Sequence, residues 1–212
     1  MIENQIYYSA NAERLFEAYE GLSPATLYPE HVDAVLARAG GSALDIGAGS
    51  GRDAGWLASL GYKVMACEPN DTLRSMAIAK HGNDIEWRSA DLPDLKGIVP
   101  PSGGFDIVFC NGVLMHVQPD RRREAIERMH SLLSDNGVLC LNFRAVVAAD
   151  EGRGMYPIHL DEIRQHAECL GLGFTASTIG DFLGRGEIAW WSCSVPVRIP
   201  DRCLEKSPSS GM

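Results

Sequence analysis

The chain lacks any apolar run of the ~20 residues that a membrane-spanning helix needs, so no membrane partner is expected. Its start, Met1-Ile2-Glu3-Asn4-Gln5, lacks a basic segment leading into an apolar one, so no secretory leader is expected either. Positive charge is in short supply: 19 Lys and Arg stand against 28 Asp and Glu, a net charge of −9. Phosphate backbones demand clustered basic side chains, so nucleic acid is not an expected partner. A small uncharged or cationic substrate fits this balance better. A local basic patch, or a protein or peptide substrate, stays compatible with it. Six cysteines occur, at 67, 110, 140, 169, 193 and 203, and none forms a Cys-x-x-Cys pair. Zinc and disulfide frameworks are therefore disfavoured, no metal site is expected, and a reducing, cytoplasmic compartment is. Cys67, Cys110, Cys140 and Cys193 fall in strand-like runs, where a thiol serves as a small core hydrophobe. No internal repeat is visible.

What the chain does have is enough apolar sequence, 45% of 212 residues, for the core of one α/β domain with a small cap. Residues 42–46 read as a buried parallel strand, and glycines at 47, 49 and 51 follow it directly. An apolar-periodic helix then runs through Ala54, Trp56, Leu57 and Leu60 to Gly61. Such a turn lets the backbone approach a ligand closely and presents amides at a helix start. A second strand, residues 63–67, closes on Glu68, at the distance where nucleotide-binding folds place an acid on ribose hydroxyls. An adenosine-type ligand is favoured. A dinucleotide fingerprint would need a small residue at 52, and Arg52 stands there.

With Asp45 ahead of it, the turn reads acid-x-Gly-x-Gly-x-Gly and resembles the first motif of the class I S-adenosylmethionine-dependent methyltransferases. The resemblance spans about residues 42–197. It implies a three-layer α/β sandwich whose mostly parallel seven-stranded sheet has the order 3-2-1-4-5-7-6, strand 7 antiparallel. It also implies S-adenosylmethionine as cofactor, S-adenosylhomocysteine as product and a small-molecule methyl acceptor. Gly47, Ala48, Gly49 and Gly51 would shape the methionine pocket, with Asp45 supporting the turn and receiving the amino group. Arg52 would anchor the helix start or reach the methionine carboxylate. Glu68, next to Pro69, would hold the ribose. Asp91 and Leu92, after a third strand at 85–88, would hold the adenine. An aspartate after a strand is also an ordinary turn residue.

The remaining elements follow in order. Residues 1–41 look helical, with Ala12, Leu15, Phe16 and Tyr19 in phase, and a second helix from Pro29 carrying Val32, Val35 and Leu36. Tyr7 and Tyr8 sit ahead of the first helix, either on the substrate or as packing. In the resembling family such a segment folds over the site as a lid. Asn70 and Gly82 bracket a helix. Residues 105–110 form a central strand ending at Asn111-Gly112, so Asn111, Met115 and His116 face the crevice beyond the strand ends. His116, with a reference pKa of ~6.5, is the catalytic candidate as a proton acceptor, or a packed structural histidine. Methyl transfer needs mainly alignment, so a base is optional.

Pro119 opens a helix with Ala125, Ile126, Met129, Leu132 and Leu133 buried, and Arg121-Arg122-Arg123 read as its solvated face beside Glu124 and Glu127. A turn at 134–137 precedes a strand at 138–143. Residues 145–156 are the expected specificity loop, with Arg144, Arg153 and Tyr156 as substrate contacts. A helix at 160–170 and strands at 172–179 and 188–197 complete the sheet, with Trp190 and Trp191 in its packing. The expected organisation is a lid segment at 1–41, the cofactor-binding domain at 42–199 and a disordered tail at 200–212. Oligomeric state is undetermined by the sequence. Two other readings share the glycine turn: an NAD-dependent oxidoreductase, and a non-catalytic S-adenosylmethionine-binding module. A different reaction consuming the same cofactor would share every motif.

Overall fold

The computed structural model describes residues 2–179 and 190–196. Seven strands are β1 (Ser42–Ile46), β2 (Lys63–Cys67), β3 (Glu86–Arg88), β4 (Phe105–Asn111), β5 (Leu133–Arg144), β6 (Thr175–Ile179) and β7 (Trp190–Pro196). They form one sheet of order β3-β2-β1-β4-β5-β7-β6, parallel except that β7 runs antiparallel between β5 and β6. This is the expected architecture. Eight α-helices among the described residues are α1 (Ile2–Ala10), α2 (Ala12–Glu20), α3 (Pro24–Leu27), α4 (Pro29–Leu36), α5 (Arg52–Ser59), α6 (Asp71–His81), α7 (Arg122–Ser131) and α8 (Leu160–Cys169).

The central strands β1, β4 and β5 are buried on both faces, and their period of two divides the core. Leu44, Ile46, Val108, Cys110, Leu139 and Leu141 point to one layer, where Ile126 and Met129 of α7 and Ile163 of α8 cover them. Ala43, Ile107, Phe109 and Cys140 point to the other, against Val35 of α4 and Ala54 and Leu57 of α5. Local signals set the helix ends. The Asn70 side chain accepts the Leu73 N–H at 3.0 Å to start α6, and Gly82 at φ 83° ends it. Among the described residues no helix is long and apolar enough to cross a membrane.

Several expectations are corrected. Tyr7 and Tyr8 lie inside a helix, α1, not ahead of the first one. In α4 the inward face is His31 and Val35, because the His31 ring packs on Phe109 with centroids 6.2 Å apart; Leu36 is 51% exposed. Strand β5 begins at Leu133, which pairs with Phe105 ahead of a register shift, so residues 134–137 belong to the strand. Arg122 is fully buried, since helical spacing puts it on the face of Ala125, Ile126 and Met129. There it donates to both Glu162 oxygens at 2.9 Å and to the Val117 and Tyr156 carbonyls. Arg121 and Arg123 do pair outward, with Glu124 and Glu127. The side chains of Trp190, Trp191 and Cys193, Cys203 and the tail at 200–212 lie outside the described residues.

Candidate active site

Beyond the carboxyl ends of β1, β2, β4 and β5 lies a cavity of about 430 Å³, roofed by α1 and α2. That volume is in the range of ~300–1,000 Å³ that holds small ligands. It is where an open α/β sheet places them, at the reversal of strand order between β1 and β4.

The turn after β1 forms one wall. Gly47, Gly49 and Gly51 all have positive φ, at 67°, 56° and 82°. A Cβ on Gly47 would stand 2.4 Å from Val113 Cγ2, so only glycine fits there. Gly47, Ala48 and Gly49 line the cavity; Gly51 does not. A Cβ on Gly51 would instead meet the Trp87 ring at 2.7 Å and His81 at 2.8 Å, so this glycine docks the turn against α6 and β3. Glu68 holds the turn in place. Its Oε2 accepts the Gly49 N–H and its Oε1 the Asn70 N–H, both at 2.8 Å. Burial raises the Glu68 pKa against those two hydrogen bonds; each oxygen can accept a further bond, and the residue lines the cavity.

Asp45 is buried at the end of β1, and its Oδ2 has no hydrogen-bond partner. Burial, then the nearby Asp53 carboxylate, pushes its pKa well above the usual range, while the Ala54 N–H favours ionisation. An unpaired buried carboxylate oxygen asks for a cation or donor. Arg52 does not answer it: the guanidinium donates to Asp53 Oδ1 at 2.8 Å, to the Tyr28 hydroxyl and to the Tyr19 carbonyl at 3.3 Å. Tyr28 in turn donates to Asp53 Oδ2 at 2.7 Å, and Asn111 Nδ2 to the same oxygen at 3.2 Å. That leaves Asn111 Oδ1 as a second unpaired atom in the lining. Pro69, Leu92 and Asp91 line the next wall, and burial followed by Asp94 raises the Asp91 pKa.

The β4–β5 side holds the acceptor candidates. His116 ends a short 3-10 turn, Leu114–His116. The Gly154 carbonyl, 3.1 Å from Nδ1, can only accept, so Nδ1 carries the proton and Nε2 accepts the Tyr8 hydroxyl at 3.1 Å. The Asn4 amide meets Nδ1 through Nδ2 at 3.2 Å; turned over, its oxygen would satisfy that proton. Burial lowers the His116 pKa to about 4, and burial also raises the Tyr8 phenol far above its usual value. Arg153 Nη2 lies 3.4 Å from the Tyr8 hydroxyl, and the Arg153 guanidinium sits 5.3 Å from the centre of the Tyr7 ring. Arg144 is committed elsewhere, donating to Asp150 Oδ2 at 2.6 Å and Oδ1 at 2.5 Å. Met115 lines the cavity. Tyr156 does not; its backbone N–H donates to the Met115 carbonyl at 2.7 Å.

Reading the sequence missed Asn4, Tyr28, Asp53 and Asn70 as site residues. Asp53 carried a signal, an acid in the first turn of the helix after the glycines. Asn4 and Tyr28 carried none, because distant segments bring them in.

The methyltransferase domain family matches residues 44–141. An uncharacterized methyltransferase of Staphylococcus carnosus is 30% identical over 114 residues, 54% of this chain and 52% of the relative. The chain spans about half the length of the curated relatives it matches. The solved Burkholderia thailandensis 1,6-didemethyltoxoflavin-N1-methyltransferase, with bound S-adenosylhomocysteine, superposes with a TM-score of 0.71 at 17% identity, over 92% of this chain and 87% of that one. A Haemonchus contortus phosphoethanolamine N-methyltransferase 2 gives 0.65 at 15% identity, over 80% and 52%. At these identities the likeness to the solved structures is one of fold. The match to the methyltransferase domain family takes in a little under half of the chain, and the solved methyltransferases add a likeness of fold over most of it.

Proposed function

We propose that this protein transfers a methyl group from S-adenosylmethionine to an oxygen or nitrogen of a small-molecule acceptor, chiefly by holding the two in line. One observation carries the reading: Asp45, buried with its Oδ2 unpaired, lines the same cavity as Glu68, on neighbouring strand ends. That fits a ligand with a cationic amino group and a ribose. Asp45 would take the amino group, which would favour its ionised form. Glu68 would accept from the ribose hydroxyls while its amide contacts keep the glycine turn closed. Asp91 would take the adenine amino group, with Leu92 against the ring. Gly47, Ala48 and Gly49 would lie along the methionine chain, with Pro69 beside the ribose and Asn111 Oδ1 facing the ligand. Arg52, held by Asp53 and Tyr28, anchors the helix start rather than the cofactor. The bound cofactor supplies an electrophilic methyl on a sulfonium.

On the acceptor side, Tyr8 and neutral His116 form the proton-accepting pair. Met115 packs on the acceptor, and residues 1–41 act as the lid, with Tyr7 and Tyr8 on its inner side. A small acceptor is supported by the cavity volume and by the small molecules bound to the Burkholderia and Haemonchus enzymes. The buried thiols of Cys67 and Cys110, in no disulfide, support a reducing, cytoplasmic setting.

Calorimetric titration with S-adenosylmethionine, S-adenosylhomocysteine and NAD tests the cofactor, alongside Glu68→Ala. Micromolar binding of the first two, weakened in the variant, is expected. Binding of NAD alone would overturn the reading.

A further inference from the structure

We propose that the acceptor carries a compact anion, in the first place a carboxylate, which the Nε–Nη2 edge of Arg153 binds on the β5 side of the cavity. That this anion belongs to the methyl acceptor rests on the function proposed above; that an anion binds here does not.

The charges of the lining are sorted. Asp45, Glu68 and Asp91 lie on the β1–β3 side, and Arg52 and Asp53 cancel one another. Arg144 and Arg153 lie on the β5 side, with Arg14 reaching the Tyr7 hydroxyl at the rim. Among the described residues, Asp150 is a carboxylate that both β5-side arginines engage. Arg144 already engages both of its oxygens, and the Val147 N–H donates to Oδ2 at 3.0 Å. Arg153 shares Oδ1 through Nη1, also at 3.0 Å. The two guanidiniums thus share Asp150, and Arg153 reaches it through Nη1 alone. His116 adds no charge, since burial keeps it neutral near pH 7.

The unmatched donors of Arg153 share one edge. Arg153 Nε is buried and has no hydrogen-bond partner, and Nη2 has only the 3.4 Å contact with Tyr8. Those two N–H groups are the parallel side edge of the guanidinium, the fork that matches a planar carboxylate. The Tyr7 ring offers the cation a face but accepts neither N–H in its plane. A buried donor left unmatched is costly, and an anion on that edge would remove the cost.

The test is calorimetry on the full chain, free and saturated with S-adenosylhomocysteine, using benzoate, its neutral isostere benzamide, and inorganic phosphate. Benzoate should bind at least roughly tenfold more tightly than benzamide, the worth of a charge-assisted hydrogen bond. Arg153→Gln should abolish the preference. Arg153→Lys keeps the buried charge but not the fork, and should lose most of it; that variant decides the matter if the Gln protein does not fold. Equal binding of benzoate and benzamide, binding of neither, or a preference that survives in the variants would overturn the proposal. Phosphate binding more tightly than benzoate would overturn the carboxylate assignment. Failure of S-adenosylhomocysteine to bind while benzoate does would count against the methyltransferase reading and leave the anion site standing.

Discussion

The backbone N–H of Gly49 donates to Glu68 Oε2 at 2.8 Å, so the turn after β1 is held by the carboxylate that ends β2. The same carboxylate accepts the Asn70 N–H and thereby ties the entry of α6 to that turn. One side chain therefore joins three segments and still lines the cavity.

Replacing Glu68 should accordingly affect both stability and ligand affinity. Glu68→Gln keeps one acceptor oxygen and turns an NH2 towards the other amide, leaving a buried N–H unmatched. A loss of about 1–3 kcal/mol is expected from denaturant unfolding. S-adenosylmethionine affinity should fall by roughly tenfold or more in calorimetry. An unchanged affinity would remove Glu68 from the ribose site.

The glycines of the turn should separate into two classes. Gly47→Ala forces a Cβ into Val113 Cγ2 on the cavity wall, so it should cut cofactor affinity. Gly47→Ala with Val113→Ala should recover part of that loss, less the ~1 kcal/mol strain of positive φ. Gly51→Ala strikes the Trp87 and His81 rings instead, so the melting temperature should drop more than the affinity of the folded fraction. Equal losses of affinity in the two single variants would contradict this division.

His116 makes stability depend on pH with a defined sign. Its folded pKa, about 4, lies below its ordinary value of 6.5, so the unfolded chain binds the proton more readily. Its contribution is full above 6.5 and is lost as pH falls towards 4. Between pH 7.5 and 5 the loss is about 2 kcal/mol. Asp45 and Glu68, whose pKa values are raised, act with the opposite sign, so the difference between wild type and His116→Gln isolates the histidine. Denaturant unfolding at the two pH values should show the variant falling less on acidification by that amount. Parallel behaviour of the two proteins would mean that His116 is not buried as described.

Asp150→Asn should be among the more damaging single changes near the site. Arg144 and Arg153 would lose their shared carboxylate, whose pKa their contacts pull down to about 2 although burial opposes this. Removing one partner of a buried ion pair costs roughly 3–5 kcal/mol. Urea unfolding would register it as a lower midpoint, and a change under 1 kcal/mol would mean the pair is solvated in solution.

The division between what could be read early and what could not follows from the range of the interactions involved. Strand positions, the glycine turn, Asn70 and Gly82 as helix ends, and the order of the motifs were legible, because each depends on a residue and its near neighbours. Asp45 and Glu68 were legible for the same reason, as acids ending strands at a fixed separation. Arg122 deceived, since a run of three arginines looks solvated until the helix is phased against its own apolar stripe. Tyr8 and His116 illustrate the opposite limit: 108 positions apart, they share a hydrogen bond only because α1 folds back over the strand ends. The sheet, the turn and the likeness to methyltransferases are thus written in the sequence. Tertiary structure alone decided which arginine is spent on Asp150 and which keeps an unmatched edge, because charge compensation in a cavity is a property of side chains from distant segments buried together.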